Sequence, residues 1–189
     1  MEGKLFIFSA PSGSGKTTIV KKLLAADIGL EFSVSATNRP KRKNEIHGKD
    51  YYFLSTEEFK RKIEQDEFVE WEEVYENRFY GTLKSELQRI WDQGKHVIFD
   101  VDVIGGLNIR KKYPQKALSL FIMPPDIKIL EERLKKRSTD SLEDIETRVS
   151  KAKNELNYAD RFDLIILNDK LGQAVDQAKE AVLQFINHS

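Results

Sequence analysis

The chain has 189 residues, with 31 Lys plus Arg against 31 Asp plus Glu, a formal net charge of zero and no cysteine. That balance argues against a nucleic-acid-binding surface, and the lack of thiols excludes disulfides and thiolate chemistry and fits a cytoplasmic protein. The length suits one compact domain with room for inserted lobes, and no apolar run is long enough to span a membrane.

The first apolar run, "LFIF", reads as a buried parallel strand. It feeds "SAPSGSGKTT" (Ser9–Thr18), in which Gly13 and Gly15 let the backbone turn its N–H groups inward. A helix starting at the rim adds partial positive charge, Lys16 a full charge, and Thr17 a hydroxyl suited to Mg²⁺. The segment Ala10, Pro11, Ser12, Gly13, Ser14, Gly15, Lys16, Thr17 and Thr18 is therefore expected to wrap the phosphates of a nucleoside triphosphate. Ala10 departs from the first glycine of G-x-x-x-x-G-K-[ST], and Gly13 is expected to supply the missing freedom. Ile19, Val20, Leu23 and Leu24 then recur at helical spacing.

Phe32–Thr37 alternates like a strand, a polar loop with Pro40 and Gly48 follows, and Asp50–Leu54 is a short aromatic strand. Ser55 caps a helix with an acidic first turn. "FVEWEEVY" and "RFYGT" read as strands and "LKSELQRIWDQ" as a helix. "HVIFDVDV" is a second buried strand ending in acids, and "ALSLFIM" a third. Two helices joined by "STD" precede the last buried strand, "DLIILN", and an amphipathic helix closes the chain. Strands alternating with helices predict an α/β fold, a parallel sheet of the P-loop NTPase type flanked by helices. Ligands then gather at the carboxyl ends of the strands, where Ala10, Asp100, Met123 and Asn168 fall. Residues of about 35–82 read as an inserted lobe and about 133–148 as a second, lid-like one, on a core of 1–34, 83–132 and 149–189.

Arg39 and Arg42 flank a proline in the first lobe, and an arginine fork matches phosphate oxygens bidentately. By themselves they read as a solvated loop; their position in an insertion facing a triphosphate cradle strengthens the case for a second phosphate site, with Tyr51 as a phenol donor. Glu70 on a strand points opposite to Val69 and Trp71. A carboxylate accepts from the N1–H and N2–H₂ edge of guanine, and Thr82 can donate to O6. Adenine would leave that carboxylate unpaired, a mismatch worth roughly 10⁴–10⁵ in discrimination. The residues alone leave Glu70 open between this role and one exposed acid among Glu67, Glu70, Glu72 and Glu73. Asp100, after an apolar strand, reads as a metal-associated carboxylate acting through water. His47 and His96 have no partners at metal-ligand spacing, and Trp71 and Trp91 read as packing residues.

These blocks, with "FSVSATNRPKRKNEIHGKDYYF", "RLKKRSTDSLEDIETR" and "LIILND", resemble the guanylate kinase family in order and spacing over nearly the whole chain. The resemblance implies phosphoryl transfer from ATP to GMP with Mg²⁺ as cofactor, in purine nucleotide metabolism. It implies that Ser35, Glu70, Thr82 and Asp102 surround guanine, and that Arg39, Arg42, Tyr51 and Tyr80 hold the GMP phosphate with Glu45 nearby. It further implies Lys16, Arg39, Arg137 and Arg148 as charge-stabilising catalytic residues, Arg137 also along the adenine, and Asn168 in the ATP base pocket. No reader of the ribose 2′-hydroxyl stands out, so dGMP is expected as a further acceptor. ATP and GMP are the expected partners, without nucleic acid or membrane, for a monomer or homodimer. Glu70 with Thr82 argues against an AMP or dTMP kinase. The presence of Gly13, Gly15, Lys16 and Thr17 argues against a kinase-shaped interaction module, and "LNDKLG" lacks the N-K-x-D of a GTP-hydrolysing switch.

Overall fold

A computed structural model describes residues 3–137 and 142–188, apart from the side chains of Tyr75 and of residues 133–148. Five strands, β1 (Leu5–Ser9), β2 (Leu30–Phe32), β7 (His96–Asp100), β8 (Ala117–Met123) and β9 (Leu164–Leu167), form a parallel sheet ordered β2-β7-β1-β8-β9. Alternate residues of β1 serve opposite faces, as the two-residue period of a strand requires. Phe6 and Phe8 pack with Ile19, Val20 and Leu23 of α1 (Lys16–Leu24) and with Ala174, Ala178 and Val182 of α7 (Leu171–Asn187). Leu5 and Ile7 pack on the other face with Leu87, Ile90 and Trp91 of α3 (Lys84–Asp92) and Ile109 of α4 (Val103–Lys112). Burial on both faces is why β1, β7 and β8 are continuous apolar runs, whereas β9, read from the sequence as a buried strand, buries Ile166 but leaves Ile165 and Leu167 about half exposed.

A second, four-stranded sheet ordered β4-β3-β6-β5 is built from β3 (Ala36–Thr37), β4 (Tyr52–Phe53), β5 (Phe68–Tyr75) and β6 (Arg78–Leu83). The helix α2 (Thr56–Glu64) starts at Ser55, whose hydroxyl accepts from the Glu58 N–H. Its Phe59 stacks on Phe68 and Phe79 at ring distances of 4.4 and 5.5 Å, which gives this sheet its own small core. Two further helices, α5 (Ile127–Arg137) and α6 (Leu142–Leu156), precede β9.

Three further expectations change. Phe32–Thr37 is not one strand. Phe32 pairs with Ile98 in the parallel sheet, whereas Ala36 pairs with Gly81 and Tyr52 in the second, so the stretch between them is the crossing from one sheet to the other. The run ending in acids stops as a strand at Asp100, and Asp102 caps the helix α4 by accepting from the Gly105 N–H at 2.7 Å. Gly105 and Gly106 weaken the helical signal of that segment. Gly106 is nevertheless required by the packing, because a Cβ there would lie 2.4 Å from Ser9 Oγ. Trp91 is buried as expected, but Trp71 is 43% exposed on the outward face of β5.

The crossing is held by Glu86 of α3, which is only 2% exposed. Its carboxylate accepts from the Val34 N–H (2.9 Å) and the Tyr52 hydroxyl (2.8 Å), and from Nε and a terminal nitrogen of Arg89 (both 2.9 Å). One side chain thus ties the parallel sheet's helix to the crossing at Val34 and to β4 at Tyr52. Glu86→Ala leaves a buried N–H and a guanidinium without their acceptor, and is expected to cost about 3 kcal/mol. Urea unfolding checks this, and a loss below about 1 kcal/mol would show that Glu86 is not the tie.

Candidate active site

Both sheets aim their functional side chains at the carboxyl end of the parallel sheet. The loop after β1 turns through Gly13 and Gly15, at φ +90° and +89°, a region that only glycine enters without strain. Ala10 keeps a negative φ and is buried in the core beneath, so the freedom does lie at Gly13 rather than at Ala10. Gly15 precedes α1 with no side chain capping the helix, which leaves its first-turn N–H groups directed at the loop. Lys16 Nζ lies 2.7 Å from Asp100 Oδ1 and donates to the Val101 carbonyl, and Thr17 Oγ1 donates to Asp100 Oδ2 at 2.7 Å. A cavity of about 380 Å³ is lined by Ala10 through Thr18, by Asp100, Val101 and Asp102, and by Lys151 and Glu155 of α6.

Asn168 stands behind this loop and not on the cavity wall. It is 4% exposed and donates from Nδ2 to the Ser14 carbonyl at 2.7 Å. A Cβ on Gly15 would lie 2.4 Å from that nitrogen.

A second cavity, of about 260 Å³, opens on the other side of Asp100–Asp102, lined by Ser35, Tyr51, Glu70, Tyr80 and Gly105 among others. Glu70 faces inward from β5 and its Oε1 accepts from Thr82 Oγ1 at 2.8 Å. Burial, opposed by the Thr82 hydrogen bond and assisted by the charge of Asp102, pushes the Glu70 carboxyl up to about 7. Gly105 keeps room beside it, since a Cβ there would sit 3.1 Å from Glu70 Oε2.

At the far end Arg39, 9% exposed, forms a two-pronged pair with Glu45 at 2.7 and 2.5 Å. Its guanidinium lies 4.9 Å over the Tyr51 ring, and Tyr51 in turn meets the Tyr80 ring at 6.1 Å. Glu45 also accepts from the Arg42 N–H, and the hydrogen bond from Arg39 holds its carboxyl down at about 2. The Arg42 side chain itself is exposed. The side chains of the expected lid, Arg137 and Arg148 among them, lie outside what is described, as do residues 138–141 altogether.

The lining residues that the sequence does not mark as part of the site include Glu72 and Gly105 in the second cavity, Glu155 in the first, and Lys151 in both. The alternation of Glu70, Glu72 and Val74 along one strand was the available signal for Glu72. Nothing in the sequence marks Lys151.

The family model for guanylate kinase matches residues 2–185. The chain belongs to the guanylate kinase family. The guanylate kinase of Porphyromonas gingivalis is 54% identical over 184 residues, covering 97% of this chain and 98% of that protein. That of Bacteroides thetaiotaomicron is 50% identical, covering 99% and 92%. The crystal structure of guanylate kinase from Anaplasma phagocytophilum superposes with a TM-score of 0.79 at 28% identity, over 99% of this chain and 88% of that one.

Gly15→Ala places a methyl group against Asn168 in a left-handed backbone. Gly94, at φ +70°, would meet nothing. Gly94→Ala is therefore expected to cost about 1 kcal/mol and Gly15→Ala about 3 kcal/mol, adding the clash to the backbone strain. Equal shifts of the two unfolding midpoints would show that Asn168 does not brace the loop.

Proposed function

We propose that the first cavity takes ATP and the second GMP, and that the γ-phosphoryl group passes between them to give ADP and GDP, the reaction of a guanylate kinase. One observation carries the assignment of the two sites: the cavities share the wall Asp100, Val101 and Asp102, with Lys16 at their junction. A donor and an acceptor seated on either side of one wall need little from the protein beyond alignment and charge neutralisation.

In this reading, residues of Ala10–Thr18 wrap the ATP phosphates, with Asn168 supporting the loop from behind. Glu70 and Thr82 read guanine, with Ser35 and Asp102 beside them. Arg39, Arg42, Tyr51 and Tyr80 hold the GMP phosphate, and Glu45 aims Arg39. Lys16, Arg39, Arg137 and Arg148 spread positive charge around the transferring group. The attacking phosphate oxygen is already anionic, so no base is needed.

Thr17 and Asp100 offer a hydroxyl and a carboxylate side by side, hard oxygen donors that suit Mg²⁺ when water and phosphate complete its shell. Thr17 would hold the ion directly and Asp100 through water. A Mg²⁺ ion held there would supply neutralisation of phosphate charge. Residues of about 35–82 form the GMP lobe and about 133–148 the lid, and the two close over the nucleotides to exclude water. The even charge balance supports small nucleotides, and not nucleic acid or a membrane surface, as the partners of a cytoplasmic monomer or homodimer.

Lys16→Ala is expected to lower kcat by at least 100-fold while changing the KM for GMP by less than threefold. Full turnover in that variant, measured by coupled ADP release, would remove Lys16 from the phosphoryl path.

Glu70 has to be ionised to accept from guanine. With its carboxyl at about 7, roughly a tenth is ionised at pH 6, so the KM for GMP should rise about tenfold from its plateau above pH 8. Glu70→Gln should have a high KM without this dependence, and the GMP phosphate, which titrates near 6, affects both proteins alike. Stability runs the opposite way. The fold favours the neutral group, so this contribution is full below about 4.5 and is lost as pH rises through about 7. A flat difference between the two KM profiles would remove Glu70 as the guanine reader.

A further inference from the structure

Glu72 lies in the second cavity and has no role in the account above. β5 and β6 are antiparallel, with Glu70 opposite Thr82 and Glu72 opposite Tyr80. These are successive rungs on the face of the sheet that lines the cavity. The first rung is the base end, marked by the Thr82–Glu70 hydrogen bond. The second leads to the phosphate end, because the Tyr80 ring meets Tyr51 and Tyr51 underlies Arg39. Rungs two residues apart along a strand are separated by about 7 Å. A nucleotide whose base sits on the first rung and whose phosphate reaches Arg39 has its ribose beside the second.

Glu72 Oε2 is out of contact with solvent and has no hydrogen-bond partner. An unpaired carboxylate oxygen in such a place is costly, and a ligand donor relieves it. Asp102 faces the same carboxyl from the start of α4, and the charges of Lys151 on α6 and Glu70 also act on it. Burial and the neighbouring Asp102 carboxyl raise it to about 7, a range in which GMP can draw it into the ionised form. The N–H donors of guanine face Glu70 and Asp102, and a phosphate repels a carboxylate. The ribose hydroxyls are the donors that remain. The 2′-hydroxyl, on the carbon next to the one bearing the base, is the nearer of the two to the Glu70 rung.

We propose that Glu72 is a specificity-determining residue whose Oε2 accepts a hydrogen bond from the 2′-hydroxyl of the acceptor, so that GMP is preferred to dGMP. This rests on the assignment of the second cavity to GMP. It also qualifies the expectation that dGMP is a further acceptor: dGMP is used, but less well.

The test is a comparison of kcat/KM for GMP and dGMP at saturating ATP and Mg²⁺ in the parent, Glu72→Ala and Glu72→Gln. The parent should favour GMP by about tenfold, expressed mainly in KM. Glu72→Ala should bring the two nucleotides within about twofold by lowering GMP and leaving dGMP unchanged. Glu72→Gln, which keeps an accepting oxygen, should retain part of the preference. An unaltered preference in Glu72→Ala would overturn the proposal, as would an equal fall for both nucleotides, which is the signature of a merely structural role. Equal use of both by the parent would overturn it as well. A parent inactive with either nucleotide would instead overturn the acceptor assignment, and this inference with it.

Discussion

The site depends on β1 and β7 being neighbours in a parallel sheet. Only that adjacency brings Asp100, at the end of one strand, within 2.7 Å of Lys16 and of Thr17, which follow the other. The adjacency is set by apolar packing on both faces of the strands, far from any charge. Asp100 and Lys16 are each largely withdrawn from solvent, so their attraction is screened less than that of a surface pair. A pair of this kind is costly to place and more costly to break, and it therefore holds its geometry. Ser9 and Gly106 add a second constraint, since α4 can approach β1 this closely only where the helix has no side chain. That approach delivers Asp102 and Gly105 to the acceptor cavity.

Much of the fold was legible from periodicity. Strands buried on both faces read as continuous apolar runs and the helices packed on them as 3.6-residue patterns, because both record burial directly. Failures came where two demands met in one segment. Phe32–Thr37 has a strand's alternation throughout, but Phe32 and Ala36 are paired by different sheets, and pairing is a property of distant partners that local pattern does not carry. α4 was hidden because Gly105 and Gly106 answer to close packing and not to helix propensity.

The site was legible where its chemistry demands unusual residues in tight order, as in the loop from Gly13 to Thr17. It was much less so where the residue is common. Glu72 sits among several acids and reads as one of a solvated group, and only its place on the inward face of β5 separates it from Glu73. Lys151 reaches both cavities from α6, and a lysine in a charged helix has no distinguishing signal. Asn168 is the converse case: marked by its position at a strand end, it acts through the Ser14 carbonyl and shapes the loop from behind.

Apart from Lys151, the wall common to the two cavities is a single stretch of chain, Asp100–Asp102, running from the end of β7 to the cap of α4. A nucleotide that shifts this stretch on one side alters the fit on the other. Thermodynamic linkage makes the effect mutual: whatever factor ATP imposes on the affinity for GMP, GMP imposes on the affinity for ATP. Lys16 and Thr17 grip the wall from the donor side, and Asp102 braces α4 on the acceptor side. Any coupling between the two substrates therefore has a short route, through three residues of main chain and the Lys151 side chain.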